Sequence, residues 1–298
     1  MRRFIKTKNP CGLRHAIERA GPSFVKIAQW ASQRPDLVGK DLCDALEPLT
    51  DRHPEHSWEE TLEILEELED SVRISLIQNM DPVPVESGSV AQVYKSKLLL
   101  DGEMVDVAVK VLHPDIRPAL WAGSLVVSTV SKLFSIPLDW SGFQKSIMRQ
   151  TDLRMEADNL IRFHENFDHL ACVVFPQVIL VTPSVLVETF EQGETWETFG
   201  KKNPDFHDEC VLLRMACFWK MGFHDNFLHS DMHRGNLLYR LDETGAGLQV
   251  VFLDAGVVSS MDDEVLLKDF LNVLFAFRME GMARIMIRCN MNPDADLF

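Results

Sequence analysis

The sequence predicts an α+β protein of two lobes preceded by a helical extension, and three changes of hydrophobic period predict it. Helical spacing runs from about residue 22 to 70. Strand alternation takes over near residue 83, and from 208 a helix, a loop and a short hairpin follow one another. The expected boundaries are 1–80 for the extension, 81–187 for the N-terminal lobe and 188–298 for the C-terminal lobe.

In the extension Phe24, Ile27, Ala28 and Ala31 keep a three-four rhythm. Ser57 with Glu60 spells a capping box ahead of Leu62, Leu65 and Leu68. Farther on, Val90, Gln92 and Tyr94 alternate with Ala91, Val93 and Lys95, and Asp101-Gly102 turns the chain into a second strand over 105–112. There Val107, Val109 and Val111 share one face, while Ala108, Lys110 and Leu112 share the other. A lysine on so apolar a strand has to find a partner or reach water.

A helix over about 144–167 carries Glu156, and strands are expected at 173–181 and 185–190. A helix over 208–221 leads into a loop rich in His, Asp and Gly at 223–236. A hairpin then pairs 237–239 with 250–253, and Ser260 with Asp263 caps a further helix to about 277.

Composition narrows the function classes. The net charge of -15, from 45 acids against 30 Lys plus Arg, argues against a general nucleic-acid binder, whose affinity comes from clustered cations. The six cysteines include no C-x-x-C pair, which leaves neither a zinc ribbon nor a redox motif and fits a reducing compartment. No apolar run approaches the roughly 18 residues of a transmembrane segment, and Met1 to Lys8 lacks the apolar stretch of a signal peptide.

Phosphoryl transfer asks a protein to position phosphates, hold Mg²⁺ and orient an acceptor hydroxyl. In His229-Ser230-Asp231-Met232-His233-Arg234-Gly235-Asn236, the aspartate and asparagine have the separation of the catalytic loop H-R-D-x-x-x-x-N. Asp231 is the expected catalytic residue and Asn236 a metal ligand. An apolar strand then delivers Asp254-Ala255-Gly256, which makes Asp254 the main Mg²⁺ ligand. Val107-Ala108-Val109-Lys110 matches V-A-I-K, with Lys110 on phosphate and Glu156 as its orienting partner. Leu186 to Phe190 resembles a segment joining two lobes, where the backbone of Glu188 and Phe190 bonds adenine. Each element alone is common: Asp-Ala-Gly is usually a turn, and a strand lysine is usually half-exposed. Their order, each in its structural context, predicts a protein-kinase-like fold binding ATP or ADP with Mg²⁺. His229, Asp231 and His233 also open a two-His-one-carboxylate iron pattern, but no histidine follows His233 to complete a distant third ligand.

The stretch Gly21-Pro22-Ser23-Phe24-Val25-Lys26-Ile27-Ala28-Gln29 resembles the K-x-G-Q helix of the UbiB, or aarF-domain-containing, family of atypical kinases. Ser32 to Leu37 reads like that family's S-x-R-x-D-L, and the resemblance extends from about Gly21 to Met261. Within the family, Gln29-Trp30-Ala31-Ser32 and Ser87-Gly88-Ser89-Val90-Ala91-Gln92-Val93-Tyr94 are most similar to the second of the animal paralogues. The resemblance implies a kinase-like fold with an added N-terminal helical element, use of MgATP in ubiquinone biosynthesis or lipid homeostasis, and a mitochondrial setting. It also implies partners among lipids or membrane-surface proteins of ubiquinone synthesis. By position, Ser87, Gly88 and Ser89 fall in the phosphate loop. Lys26 and Gln29 reach over the nucleotide as regulatory residues, together with Asp152.

Departures from the family pattern are Ala28 for the K-x-G-Q glycine, Glu86-Ser87-Gly88-Ser89 for the alanine-rich phosphate loop, and Gln150 for one acid of E-x-D. Arg234 replaces the loop proline, and Ala255 replaces the D-F-G phenylalanine, which is expected to loosen the packing around Asp254. Only 42 residues follow Gly256, which suggests a truncated C-terminal lobe. These departures motivate an alternative, a nucleotide-binding pseudokinase scaffold without turnover. A small-molecule kinase is a third reading, which the Lys26 helix disfavours.

Overall fold

The computed structural model describes residues 10–20, 24, 25, 28, 40–46, 55–121, 148–242, 244, 245 and 247–260. Lys26, Gln29, the stretch from Ser32 to Leu37 and the helix expected beyond Ser260 lie outside the described residues. The chain forms two compact units, one of Met1–Leu153 with Leu180–Val187, the other of Arg154–Ile179 with Glu188–Phe298. Ten strands are described: β1 Glu86–Ser87, β2 Ala91–Leu100, β3 Glu103–Leu112, β4 Val173–Val174, β5 Val178–Val181, β6 Val185–Thr189, β7 Leu228–His229, β8 Leu237–Leu241, β9 Leu248–Phe252 and β10 Val258–Ser259.

In the first unit the capping box forms as its sequence predicts. Ser57 Oγ accepts the Glu60 N–H while the Glu60 carboxylate accepts the Ser57 N–H, opening the helix Trp58–Ile64. A 3₁₀ turn and the helix Asp70–Asn79 follow, and Ser96 Oγ donates to the Leu76 carbonyl at 2.7 Å, fixing that helix to β2. The sheet order is β1-β2-β3-β6-β5. Asp101 and Gly102 both take positive φ, 50° and 88°, the requirement of a two-residue hairpin turn. The register sets Lys110 opposite Val93, and Val107, Val109 and Val111 are wholly buried on the other face.

The second unit centres on the helix Leu153–Phe167 and the sheet β4-β9-β8, in which β4 runs parallel to β9. The helix expected over 144–167 is broken at its start. Thr151 N–H and Asp152 N–H turn back to the Met148 and Arg149 carbonyls, and Leu153 N–H goes to Pro183, so a new helix begins at Leu153. The expected strand 173–181 is likewise split into β4 and β5. Pro176, which has no N–H to give a ladder, lies between them.

Phe175 stacks on both Phe163 and Phe252, joining helix to sheet with ring centroids 4.9 and 5.0 Å apart. The helix His207–Trp219 runs on as a π-helical turn, Lys220–His224. There the Lys220 ammonium meets both Asp225 oxygens at 2.8 Å and sits 4.5 Å over the Phe167 ring. Among the described residues no helix is long and apolar enough to cross a membrane.

Candidate functional site

The loop from His229 to Asn236 is built around a buried imidazole. His229 ends β7, is 1% exposed, and lies against the rings of Phe163 and Phe252. Its Nδ1 accepts the Asp231 N–H at 3.2 Å, so the ring proton resides on Nε2. Nε2 faces the Asp254 backbone without a hydrogen bond of ordinary geometry. Burial holds its pKa below the usual histidine value, with the charges of Asp254 and Asp231 pulling the other way. A neutral His229 thus sets the Asp231 backbone.

Asn236 is buried, and its Nδ2 donates to the Asp231 carbonyl at 3.0 Å. That bond turns the amide oxygen away from Asp231 and leaves it as an acceptor. The Leu253 N–H donates to the Asn236 carbonyl at 3.0 Å, so Asn236 and Asp254 stand at adjacent ends of the β8–β9 hairpin. Asp254 Oδ1 accepts the Gly256 N–H at 2.7 Å. A side-chain Cβ placed on Gly256 would lie 3.0 Å from Asp254 Oδ1 and 3.5 Å from Glu156 Oε2, which puts both carboxylates against this glycine.

The turn after Asp254 corrects the expectation of loose packing. Ala255 is 1% exposed, and its carbonyl accepts the Asn159 amide at 2.8 Å. The Ser230 N–H donates to the Val257 carbonyl at 2.9 Å, and Ser230 Oγ to Ser259 Oγ at 2.6 Å. These hydrogen bonds tether the segment on either side of Ala255. Gly235 N–H donates to His233 Nδ1 at 3.0 Å, Arg214 reaches the Met232 carbonyl at 3.3 Å, and Arg234 lies 3.6 Å from Glu197.

The remaining predicted residues are distributed between the two units. In the first, Lys110 is half-buried on β3 and Glu86 is exposed. Asp152 lies 4.0 Å from Arg117, whose Nε donates to the Thr151 carbonyl. Ser87 Oγ is buried and has no hydrogen-bond partner among the described residues. In the second, Glu156 is 5% exposed in the first turn of its helix, and Glu188 is 9% exposed on β6 with Phe190 following it.

A nucleotide's metal fits this donor set. Mg²⁺ takes hard oxygens, commonly from one or two protein groups plus phosphate, and Asn236 and Asp254 offer an amide and a carboxylate oxygen from neighbouring backbone positions.

Sequence reasoning missed Asn159, His56 and His113. Asn159 lies three residues after Glu156, one helical turn along, and that spacing was the available signal.

Residues 48–286 match the ABC1 atypical kinase-like domain, and the chain belongs to that family. It is 36% identical over 245 residues to a probable serine/threonine-protein kinase, abkC, of Dictyostelium discoideum, covering 78% of this chain and 35% of the relative. It is 30% identical over 266 residues to a mitochondrial ABC1 family protein of Saccharomyces cerevisiae, with 78% and 40% covered. To a probable protein kinase UbiB of Pseudomonas fluorescens it is 28% identical over 299 residues, with 95% and 55% covered. The chain thus spans between about a third and just over half the length of these relatives.

Among solved structures, the Rv3197–erythromycin complex from Mycobacterium tuberculosis aligns with a TM-score of 0.56 at 22% identity. It covers 80% of this chain and 60% of the other, a likeness of fold. The fold is kinase-like, with mixed helices and sheets.

Proposed function

We propose that this chain binds ATP or ADP with Mg²⁺ and turns ATP over as an atypical kinase or ATPase that supports ubiquinone biosynthesis or mitochondrial lipid homeostasis. In this reading Lys110 contacts phosphate with Glu156 as its partner, and Asp231 orients or deprotonates the acceptor. Asn236 and Asp254 hold the metal, whose charge offsets that of the phosphates. Glu188 and Phe190 supply backbone groups to the base, and Lys26, Gln29 and Asp152 restrict entry.

The observation that carries the reading is Asn236. Its buried amide nitrogen is committed to the Asp231 carbonyl, which leaves its oxygen beside the strand end that presents Asp254. Membership in the ABC1 family and the UbiB name of one relative support the link to ubiquinone, and the yeast relative's name supports the mitochondrial setting.

The test is thermal unfolding with and without MgATP or MgADP, followed by phosphate release. A ligand at about a hundred times its dissociation constant stabilises by roughly 2.7 kcal/mol. A Mg²⁺-dependent rise lost in Asp254→Asn, with phosphate release lost in Asp231→Asn, is expected. Binding with equal, negligible release in both proteins identifies a pseudokinase scaffold instead, and no binding by folded wild type removes the nucleotide reading.

A further inference from the structure

The phosphate-loop stretch is held from behind by a histidine pair. β1 and β2 are joined by a tight turn in which the Gly88 N–H donates to the Ala91 carbonyl at 2.9 Å. His113, just past the end of β3, donates its own N–H to the Val90 carbonyl at 2.8 Å, and its Nε2 lies 2.8 Å from the Gly88 carbonyl. A carbonyl only accepts, so His113 carries its proton on Nε2 and presents a bare Nδ1. That Nδ1 is 2.7 Å from His56 Nδ1, which must therefore be the donor.

The order of protons continues without a gap. His56 Nε2 is left to accept from Thr61 Oγ1 at 2.9 Å, Thr61 Oγ1 accepts from the Tyr94 hydroxyl at 2.7 Å, and that hydroxyl accepts from Gln92 Nε2. Gln92 is fixed in turn by the His56 backbone, receiving its N–H on Oε1 and giving Nε2–H to its carbonyl. Thr61, Gln92 and Tyr94 are wholly buried. With both histidines neutral, one arrangement of hydrogens satisfies every short contact of this chain and leaves only the 3.4 Å approach of Thr61 Oγ1 to the Ser57 carbonyl unmade, so the pair is a rigid support.

The consequence for the loop follows from the planar peptide. The Gly88–Ser89 bond is trans, so its N–H points opposite to its C=O. With the Gly88 carbonyl drawn onto His113, the Ser89 N–H is aimed away from that ring, and among the described residues it has no acceptor. The buried Ser87 Oγ, two residues earlier, also has none among them.

We propose that His113 is a positioning residue of the phosphate loop: it fixes the Gly88–Ser89 peptide so that the Ser89 N–H is presented to a phosphate group, and His56 fixes the tautomer of His113. This rests on the nucleotide-binding reading and assigns the loop's geometry to two side chains outside it.

The test compares wild type with His113→Ala and His113→Gln, whose amide can still donate to the Gly88 carbonyl. Hydrogen exchange of the nucleotide-free chain reports the loop, and MgATP titration reports the site. In His113→Ala, exchange of the Gly88 and position-113 amides, which donate to the Ala91 and Val90 carbonyls, should quicken about fivefold or more, with the β2–β3 ladder unchanged, and MgATP should bind about fivefold or more weakly. His113→Gln should recover most of both.

Unchanged loop exchange and affinity in His113→Ala overturn the proposal, as does equal failure of the alanine and glutamine variants with exchange raised throughout the sheet. A wild type that binds no MgATP removes the nucleotide reading and with it the phosphate role, while loop exchange still decides whether His113 holds Gly88.

Discussion

Asn159 donates its side-chain amide to the Ala255 carbonyl at 2.8 Å, joining the helix that carries Glu156 to the turn that carries Asp254 across 96 residues of sequence. Ala255 is buried, so removing the donor leaves its carbonyl without the partner that offsets its loss of water. Asn159→Ala should cost about 1–3 kcal/mol of unfolding free energy, read from urea titration. It should also shrink the Mg²⁺-dependent stabilisation by nucleotide, because the turn presenting Asp254 loses its tether. A loss of stability with undiminished nucleotide response would separate Asn159 from the site.

Gly256 separates two carboxylates. A methyl group there would press on Asp254 Oδ1 at 3.0 Å and approach Glu156 Oε2 at 3.5 Å. Gly256→Ala should therefore displace Asp254 and abolish most of the MgATP-induced rise in unfolding temperature. The protein without ligand should lose only about 1 kcal/mol, since one side chain has to give a few tenths of an ångström. An unaltered MgATP response would mean that Asp254 is not the metal ligand.

Much of the frame was legible because it is written in local signals: the Ser57–Glu60 cap, the Asp101-Gly102 turn and the Val107, Val109 and Val111 face all form as read. What escaped depends on distant backbone. The break before Leu153 is made by Pro183, whose carbonyl takes the Leu153 N–H, and nothing near Leu153 announces it. Ala255 is a similar case, because a missing ring is visible in sequence and the Asn159 bond that tethers its carbonyl is not. His113 was passed over since its partners, Gly88 and His56, lie 25 and 57 residues away.

Lys220 and Asp225 form an ion pair with side chains only 10% and 6% exposed, and His224 Nδ1 adds a contact to the same carboxylate at 2.6 Å. Removing one member of a buried pair strands the other charge, which commonly costs about 3–5 kcal/mol. Asp225→Ala should lose stability on that scale in urea unfolding, whereas exposed Asp70→Ala, at the Arg73 pair, should cost under about 1 kcal/mol. Comparable losses in the two variants would contradict the burial argument.

The histidine pair gives stability a pH dependence of definite sign. Burial, then the neighbouring His113, holds His56 down at about 4, with the charge of Glu60 opposing. Burial also lowers His113, against the Gly88 carbonyl and Glu60. An unfolded histidine titrates near 6.5, so between about 6.5 and 4 the unfolded chain takes up protons that the folded chain refuses. The contribution is present in full above that window and is lost as pH falls through it. The geometry agrees, since the Nδ1–Nδ1 contact has room for one proton and a second would set two N–H groups face to face. Glu60, held below the usual carboxylate range by the Ser57 backbone and hydroxyl, loses its own contribution as pH falls through the carboxylate range, mostly at the acid end of the window. Urea unfolding between pH 7 and 4.5 should show falling stability in wild type and a flatter dependence in His56→Gln, which carries no titrating ring. Parallel curves for the two proteins would mean that the pair is already protonated in the folded state.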